Sequence, residues 1–262
     1  MITNPVIDTL MRRSSVRAYR QEMPSEEVIE TIVRAGQQAP FAMQLCSVLL
    51  ERGGKIPWGA PINFSICIDV ERIRLIAEKR GWQVRLNDLL LLLFGLQDAA
   101  YMAQNMVIAA ESLGLGSCFI GAAPMMAPQI VERFHLPPKV FPLVMLVMGY
   151  PSERQPRRPR YPLSFTLFEG EYPELSDEAI EEAMQVMDEG YLAQDYYRKL
   201  GAMIPIQGDR AETETPETYS WTEHISRKLQ WHPSGEGLLE NLRRCGFDLC
   251  PSDVAPDTGS DA

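Results

Sequence analysis

Arginine side chains at alternate positions mark a segment near the start of the chain. Arg13, Ser15 and Arg17 are each two residues apart within RRSSVRAYR. In an extended backbone alternate side chains point the same way, so two guanidinium groups and a hydroxyl would face one ligand. Guanidinium groups bind phosphate through paired, charge-assisted hydrogen bonds. The spacing therefore predicts an anion site, with solvated surface arginines as the alternative interpretation.

A second arginine pair, Arg158 and Arg160, repeats this spacing much later in the chain. Pro159 between them disfavours helix at Arg158, so an extended backbone is expected there as well. Either segment alone is more simply explained as solvated surface. However, eight of the 20 arginines fall within the segments 12–20 and 154–160, although the chain has a net charge of -10. This duplication in an acidic protein favours one shared phosphomonoester ligand.

Net charge is distributed unevenly along the chain. Residues 1–160 carry 18 basic and 14 acidic side chains, whereas residues 161–262 carry 7 and 21. The negative total argues against nucleic-acid binding, because a polyanion would be repelled. The longest apolar run, 89–96, is far shorter than the roughly 20 residues that a bilayer span needs. We therefore expect neither a nucleic-acid partner nor a membrane partner.

Cysteines and histidines show none of the spacings of common catalytic or metal sites. The five cysteines form no CxxC pair, and the three histidines have no ligand spacing with them, which argues against zinc. A hydrolase nucleophile elbow, G-x-S-x-G, is missing from the sequence. The cysteine pattern and the lack of a basic and apolar leader predict a cytoplasmic protein. No catalytic side chain and no metal ligand is assigned.

Apolar periodicity predicts the elements that must position the arginines. A helix capped by Ser25 is expected to end before Pro40. Apolar and polar residues alternate over 62–70, which predicts a strand with one buried face. The segment 88–113 predicts a long helix, either the central helix of the domain or a subunit interface. The segment 140–148 is apolar throughout and predicts a strand buried on both faces.

A glycine-rich segment, GLGSCFIG at 114–121, joins the long helix to a strand predicted at 117–120. The dinucleotide fingerprint follows a strand and opens a helix, whereas here the order is reversed and the third glycine is displaced. We therefore reject a dinucleotide site. Gly114 is expected to end the helix, and the strand would end at Ile120 and Gly121, where a flat ligand can approach the backbone.

Five motifs together resemble the FMN-dependent nitroreductase family. They are RSSVR at 13–17, AP at 39–40, QNMVIAAESLGLGSCFIG at 104–121, MGYPSE at 148–153 and RPR at 158–160. Each motif is weak alone, but their order and spacing are specific, and the resemblance covers roughly residues 8–172. It implies an α+β fold, a three-layer sandwich whose mixed, largely antiparallel central sheet lies between helices. It also implies an intertwined homodimer with FMN at the interface.

The resemblance assigns roles to the arginine segments. Arg13, Ser15 and Arg17 would bind the phosphate and ribityl chain of FMN. Arg158 and Arg160 would close on the same phosphate from the same subunit.

A different set of residues would hold the flavin ring. Ile120 and Gly121 would lie against the isoalloxazine, with a backbone N–H near N5. Pro40, Phe41 and Gln44 would come from the other subunit and cover the ring and its pyrimidine edge. The family usually has a hydroxyl residue, an Asn and a Gln after A-P, so the Phe, Gln and Cys of this chain change the expected contacts at that edge.

The implied activity is hydride transfer from NADPH or NADH, through flavin N5, to small electron-poor acceptors such as nitroaromatics or quinones. The nicotinamide would leave before the acceptor enters the same pocket. Because the cofactor carries the redox chemistry, no acid–base side chain is required. Reductive dehalogenation or flavin fragmentation on the same fold is an alternative, and so is a flavin-binding protein without turnover.

Three segments are predicted from the resemblance and the composition. Residues 1–172 form the FMN-binding domain, and 173–250 form an extension that common members lack and that packs on the domain or on the partner subunit. Residues 251–262 form a disordered tail. Ser176 begins a helix in the extension, but apolar residues there are too sparse for a separate core.

Overall fold

A computed structural model describes residues 2–153, 155–206, 208–230 and 235–249. The chain forms two compact units, one made of 1–155 with 235–262 and the other of 156–234. The units thus divide at 155 and 234, while the boundary predicted at 172 stays a prediction. The predicted tail 251–262 lies outside the described residues.

Four antiparallel strands form the sheet in the described part of the first unit. They are β1 Cys46–Arg52, β2 Ile62–Asp69, β3 Gly116–Ile120 and β4 Val140–Gly149. Their order is β1-β2-β4-β3, so β1 and β3 are the two edges. Ser15 adds an isolated parallel bridge to Ser117 on the β3 edge. The predicted mixed, largely antiparallel sheet is confirmed.

Helices lie on both faces of this sheet. In chain order the helices of the described residues are α1 Pro5–Arg12, α2 Glu26–Gln37, α3 Glu71–Lys79, α4 Asp88–Ser112, α5 Ala127–Phe134, α6 Asp177–Leu192, α7 Tyr196–Leu200, α8 Trp221–Leu229 and α9 Glu236–Arg244. Of these, α6, α7 and α8 belong to the second unit. Ile32 of α2 and Met106 of α4 pack against Phe64 on one face. Ile130 of α5 packs against Met145 on the other face. This layering confirms the predicted three-layer α+β sandwich.

Strand β2 is buried on both faces, so the prediction of one exposed face is wrong. Phe64 packs beneath α4, as its apolar character predicts. Asn63 and Ser65 point to the other face, where they pair with Val147 and Met145 of β4 and are also buried. The strand lies inside the sheet, and its second face is covered by α5 and by neighbouring segments of chain. Small polar residues fit under such a cover, so their alternation does not reveal exposure.

Helix α4 is the long helix predicted from the sequence. Asn87 caps its first turn, and Gly114 follows its end with φ 83°, a conformation that glycine adopts without strain. One side is buried against the sheet, whereas Leu89, Leu93 and Leu96 are 64%, 51% and 46% exposed. These three residues form an apolar stripe, named here the leucine stripe. Among the described helices none is long and apolar enough to cross a membrane.

The C-terminal segment 235–249 belongs to the first unit and packs against the rest of it. Leu242 and Phe247 are buried in a cluster with Leu91 and Phe141. The backbone N–H of Lys139 donates to the carbonyl of a residue in this segment at 2.7 Å. This part of the predicted extension therefore completes the core of the first unit.

The second unit, 156–234, has a small core built largely from aromatic rings. Tyr197 stacks on His224 with ring centroids 4.4 Å apart, and Tyr219 contacts both rings edge-on. Ala183 and Met187 of α6 are buried in the same unit. The expectation that this region cannot form a core is therefore wrong, because large aromatic rings compensate for the shortage of aliphatic residues.

A buried arginine, Arg227, ties α8 to the loop before it. Arg227 contacts Glu212 at 2.6 Å and, with nearby backbone N–H groups, lowers the pKa of Glu212 to about 2. A carboxylate with a lowered pKa stabilises the fold above its ordinary pKa, and this contribution is lost as the pH falls towards the lowered value. We expect Glu212→Gln to have a lower Tm at neutral pH and a flatter fall of Tm between about pH 5 and pH 3. Thermal melts of both proteins test this, and equal slopes would contradict it.

Candidate functional site

Arg13, Ser15 and Arg17 lie on one extended segment beside the edge strand β3. Ser15 forms the parallel bridge to Ser117, and the N–H of Val16 donates to the carbonyl of Ser117 at 2.9 Å. Val16 points into the core, whereas Arg17 is exposed and Arg13 and Ser15 are half-buried. The extended backbone that the spacing predicts is therefore present, and a strand pairing fixes it.

The three side chains act electrostatically on the thiol of Cys118 in β3. Burial raises the pKa of this thiol, while Arg17, Ser15 and Arg13 oppose the rise by favouring the thiolate. Cys118 itself is buried in the sheet, as the sequence predicts for a packing residue. All three predicted ligands thus favour negative charge at the same stretch of the β3 edge.

Trp58 holds one of these arginines without neutralising it. The guanidinium carbon of Arg17 lies 5.5 Å from the centroid of the Trp58 ring, where the aromatic face attracts the cation. Trp58 has a left-handed backbone, φ 57°, in the turn Pro57–Gly59. Among the described residues, neither Arg13 nor Arg17 forms an ion pair with a carboxylate. Both charges are therefore available to an external anion.

The end of β3 leaves open space over the backbone. Ile120 is its last residue, on the same face as Cys118, and the exposed Gly121 follows. A Cβ built on Gly121 would meet no atom within 4 Å. Asn241 of α9 donates to the carbonyl of Pro124 at 3.0 Å, so the C-terminal segment fastens the loop that begins here. A flat ligand has room to lie against this strand end.

Pro40, Phe41 and Gln44 line a separate cleft of ≈ 270 Å³. Phe41 is 54% exposed, and Gln44 adopts a left-handed backbone with φ 55°. Asp98 and Met102 of α4 also line this cleft. The three predicted residues are therefore brought together by one loop at the start of β1.

Asp98 is a site residue that sequence reasoning missed. It is 2% exposed, and its carboxylate accepts the backbone N–H groups of residues 42, 43 and 45 at 2.6, 3.1 and 2.9 Å. A signal for it exists in the sequence, because Asp98 falls on the buried stripe of α4, three residues after Gly95 and seven after Leu91. A charge at such a position is expected only when it has partners.

Arg158 and Arg160 lie in the second unit, on an irregular segment as Pro159 predicts. The guanidinium of Arg158 lies 3.8 Å from the centroid of the Tyr196 ring and donates to the side-chain oxygen of Gln194 at 2.5 Å. Arg160 is exposed, and among the described residues it donates to two backbone carbonyl oxygens nearby, those of Arg158 and Pro159. Arg158 is thus engaged by its neighbours, whereas Arg160 keeps an accessible charge.

Comparison with known proteins decides the family. The family model described as "Nitroreductase family" matches residues 10–50 and 56–150. The chain belongs to the nitroreductase family. It is 33% identical over 183 residues to "CR(VI) reductase" of Pseudomonas sp. (strain G-1), covering 64% of this chain and 75% of that protein.

Two longer matches include the predicted extension of this nitroreductase. "FMN reductase (NADPH)" of Bacillus subtilis (strain 168) is 28% identical over 262 residues, covering 94% of this chain and 99% of that protein. The solved structure of B. megaterium NfrA2 has a TM-score of 0.79 at 25% identity, covering 94% of this chain and 98% of its own. Both matches reach past Tyr172. The expectation that common members lack this segment therefore does not hold for these relatives.

Within one nitroreductase chain the two sets of predicted ring contacts lie at opposite edges of the sheet. Gln44 precedes the edge strand β1, whereas Ile120 ends the other edge strand, β3. Three interstrand spacings separate the edges, about 14 Å in total. A single chain therefore does not gather the loop of Gln44 and the strand end at Ile120 around one ring.

Proposed function

We propose that this protein is a homodimeric, FMN-dependent NAD(P)H oxidoreductase that reduces small electron-poor acceptors such as nitroaromatics or quinones. Membership of the nitroreductase family and the relative named FMN reductase (NADPH) support the enzyme class and both cofactors. One observation carries the assignment to this site. Neither Arg13 nor Arg17 pairs with a carboxylate among the described residues, and both lie beside a strand that ends in open space at Gly121.

The residues at the β3 edge fit the two ends of FMN. Two guanidinium groups and the Ser15 hydroxyl suit a dianionic phosphate, which takes several charge-assisted hydrogen bonds. The open backbone at Ile120 and Gly121 suits a flat ring, because a Cβ built on the glycine would meet no atom of the described residues within 4 Å. We assign Arg13, Ser15 and Arg17 to the phosphate and this strand end to the isoalloxazine.

By resemblance to the family, we assign Arg158 and Arg160 to the same phosphate. The accessible guanidinium of Arg160 suits a direct contact. Arg158 is held within its own unit by an aromatic ring and an amide. The resemblance to the family thus implies that two arginine segments of one chain bind the same phosphate.

FMN, when bound, would supply the redox chemistry, taking hydride equivalents from NAD(P)H and passing them to the acceptor. The chain supplies binding, orientation and exclusion of water. Arg13 and Arg17 anchor the phosphate, and the backbone at Gly121 orients the ring. Phe41 and Pro40 present an exposed apolar surface that covers the ring in the partner subunit.

Two observations support the homodimer. The loop of Gln44 and the strand end at Ile120 lie at opposite edges of one sheet, so two copies are needed for both to contact one ring. The leucine stripe of α4 is apolar and exposed, and such surfaces mark interaction sites. A second copy of the chain would cover the stripe and bring the two edges together.

Replacing Leu93 by Arg in the leucine stripe is expected to break the dimer. A charge buried at an apolar interface without a partner is costly, so we expect the dimer dissociation constant to rise by about tenfold or more. Light scattering after gel filtration measures the change. Leu113→Arg is the matched control, because it places the same charge roughly 30 Å along α4. A Leu93→Arg protein that stays dimeric would contradict the assigned interface.

The absorption spectrum of the purified protein tests the proposed function directly. We expect a yellow protein whose chromophore is released on denaturation and identified as FMN. Anaerobic mixing with NADPH or NADH in a stopped-flow instrument should bleach the flavin, and a nitroaromatic or a quinone should restore its colour. A colourless protein that does not take up added FMN, or a bound flavin that neither nucleotide bleaches, would overturn the proposal.

A further inference from the structure

We propose that Asp98 and Arg72 are positioning residues that clamp the loop 40–46 from two sides. Through this clamp they set the contacts of Phe41 and Gln44 with the flavin bound in the partner subunit. The inference rests on the proposed function for its link to flavin. The contacts of Asp98 and Arg72 with the loop lie within one chain and do not depend on flavin.

Asp98 holds the loop through its N–H groups. Its carboxylate is buried in the apolar stripe of α4, where an ionised group is costly unless its oxygens are hydrogen-bonded. Three backbone N–H groups of residues 42–45 meet that need, at 2.6, 3.1 and 2.9 Å. The same bonds satisfy the donors of a segment that has no helix or strand partner there. The carboxylate therefore holds the loop in place, and the N–H groups of the loop satisfy the oxygens of the buried carboxylate.

Arg72 holds the same loop through its carbonyl groups. One of its guanidinium nitrogens donates to the carbonyl oxygens of Gln44, at 3.2 Å, and of Cys46. The carboxylate of Asp69 fixes that guanidinium at 2.9 Å. The N–H of Asp69 also donates to the carbonyl of Leu45 at 2.9 Å. Donors and acceptors of one short loop are thus tied to different elements, α4 on one side and the start of α3 on the other.

The clamp holds a backbone conformation that the loop would not keep alone. Gln44 has φ 55°, in the left-handed region that residues with a side chain disfavour. Such a conformation persists where surrounding contacts determine it. The direction of the Gln44 side chain and the placement of Phe41 follow from it. Asp98 and Arg72 also line the same cleft as these two residues, so a change at either one acts directly on the candidate site.

Asp98→Asn tests the inference, with Asp88→Asn as the matched control. The new amide presents an NH2 group to backbone N–H groups, so part of the bonding is lost and a repulsion is added. Asp88 lies on the same helix and also holds a cation and a backbone N–H, contacting Lys139 at 2.6 Å and the N–H of Asp248 at 2.6 Å. Its contacts do not include the loop 40–46. Both variants remove one carboxylate with several partners.

Two readouts separate a positioning role from a purely structural one. Hydrogen exchange of the amides at 42–45 should become at least about tenfold faster in Asp98→Asn and should not change in Asp88→Asn. FMN affinity should fall by about tenfold, and the reduction potential of the bound flavin should shift, in Asp98→Asn alone. If Asp98→Asn does not fold, Arg72→Gln releases the carbonyl side of the loop from the protein surface and should give the same two changes.

The results test the clamp and the positioning role separately. Unchanged amide exchange in Asp98→Asn, or in Arg72→Gln where that variant is used, overturns the clamp. Faster exchange with the flavin affinity and potential of the wild type overturns the positioning role. A wild-type protein that binds no FMN refutes the proposed function and with it the link to flavin, while the exchange measurement still decides whether the clamp exists.

Discussion

Replacing Arg13 and Arg17 together by Ala is expected to weaken FMN binding roughly a hundredfold to ten-thousandfold. A hydrogen bond to a charged group contributes about 1.5–3 kcal/mol, and the double variant removes at least two of them. Neither side chain pairs with a carboxylate among the described residues, so no partner charge is left exposed by the change. Folding should therefore be affected little. Titration of the variant with FMN, followed by quenching of flavin fluorescence, measures the affinity.

A comparison of riboflavin with FMN shows whether the two arginines act on the phosphate or on flavin binding in general. It lacks the phosphate, so its affinity should be nearly the same for the wild type and for the double variant. Arg20→Ala is the matched control, since Arg20 belongs to the same basic segment but lies out of register with Arg13 and Arg17 and is exposed. Equal losses of FMN and riboflavin affinity would remove the phosphate from this site.

Local structure could be predicted from the sequence where neighbouring residues alone determine it. Ser25 accepts the N–H of Val28 and begins α2, and Gly114 ends α4 with a positive φ. The alternation of Arg13, Ser15 and Arg17 survives in the structure because a pairing with β3 keeps the backbone extended. These features depend on helix caps, turns and the alternation of side chains along an extended backbone, which a short stretch of sequence encodes.

Tertiary contacts explain what the sequence did not reveal. Trp58 meets Arg17 only because the turn Pro57–Gly59 folds back beside the first extended segment. Asp98 and the loop it holds are more than 50 residues apart in the chain, since its partner Leu45 lies 53 positions away. The burial of Asn63 depends on what covers the second face of the sheet. None of these pairings has a local signature in a single sequence.

Cys46, which differs from the glutamine usual in the family, lines the same cleft as Gln44. Its sulfur lies 3.5 Å from the sulfur of Met102, and burial raises the pKa of the thiol. A protonated thiol is therefore expected where the family usually has a glutamine. This edge of the cleft is less polar than an amide would make it, which leaves Gln44 as the main side-chain hydrogen-bonding group that the loop offers to a flavin edge.

Gly121→Leu is expected to weaken the binding of FMN and riboflavin alike, roughly tenfold to a hundredfold, because a side chain there occupies the space assigned to the ring. The protein itself tolerates the change, since a Cβ at this position meets no atom within 4 Å and the residue lies outside the left-handed region. Tm should therefore stay close to the wild-type value. Gly237→Leu is the matched control, because Gly237 also has open space around it but lies on α9.

The double variant of Arg13 and Arg17 tests the phosphate end of the proposed FMN site, and Gly121→Leu tests the ring end. Loss of FMN affinity with riboflavin affinity retained is expected from the arginine variant, and loss of both is expected from Gly121→Leu. The difference follows from where each residue lies, since Arg13 and Arg17 belong to the extended segment beside β3 while the glycine lies past the end of that strand. A Gly121→Leu protein that binds both flavins as tightly as the wild type would show that the ring does not lie against this strand end. The arginines would then bind an anion of another kind.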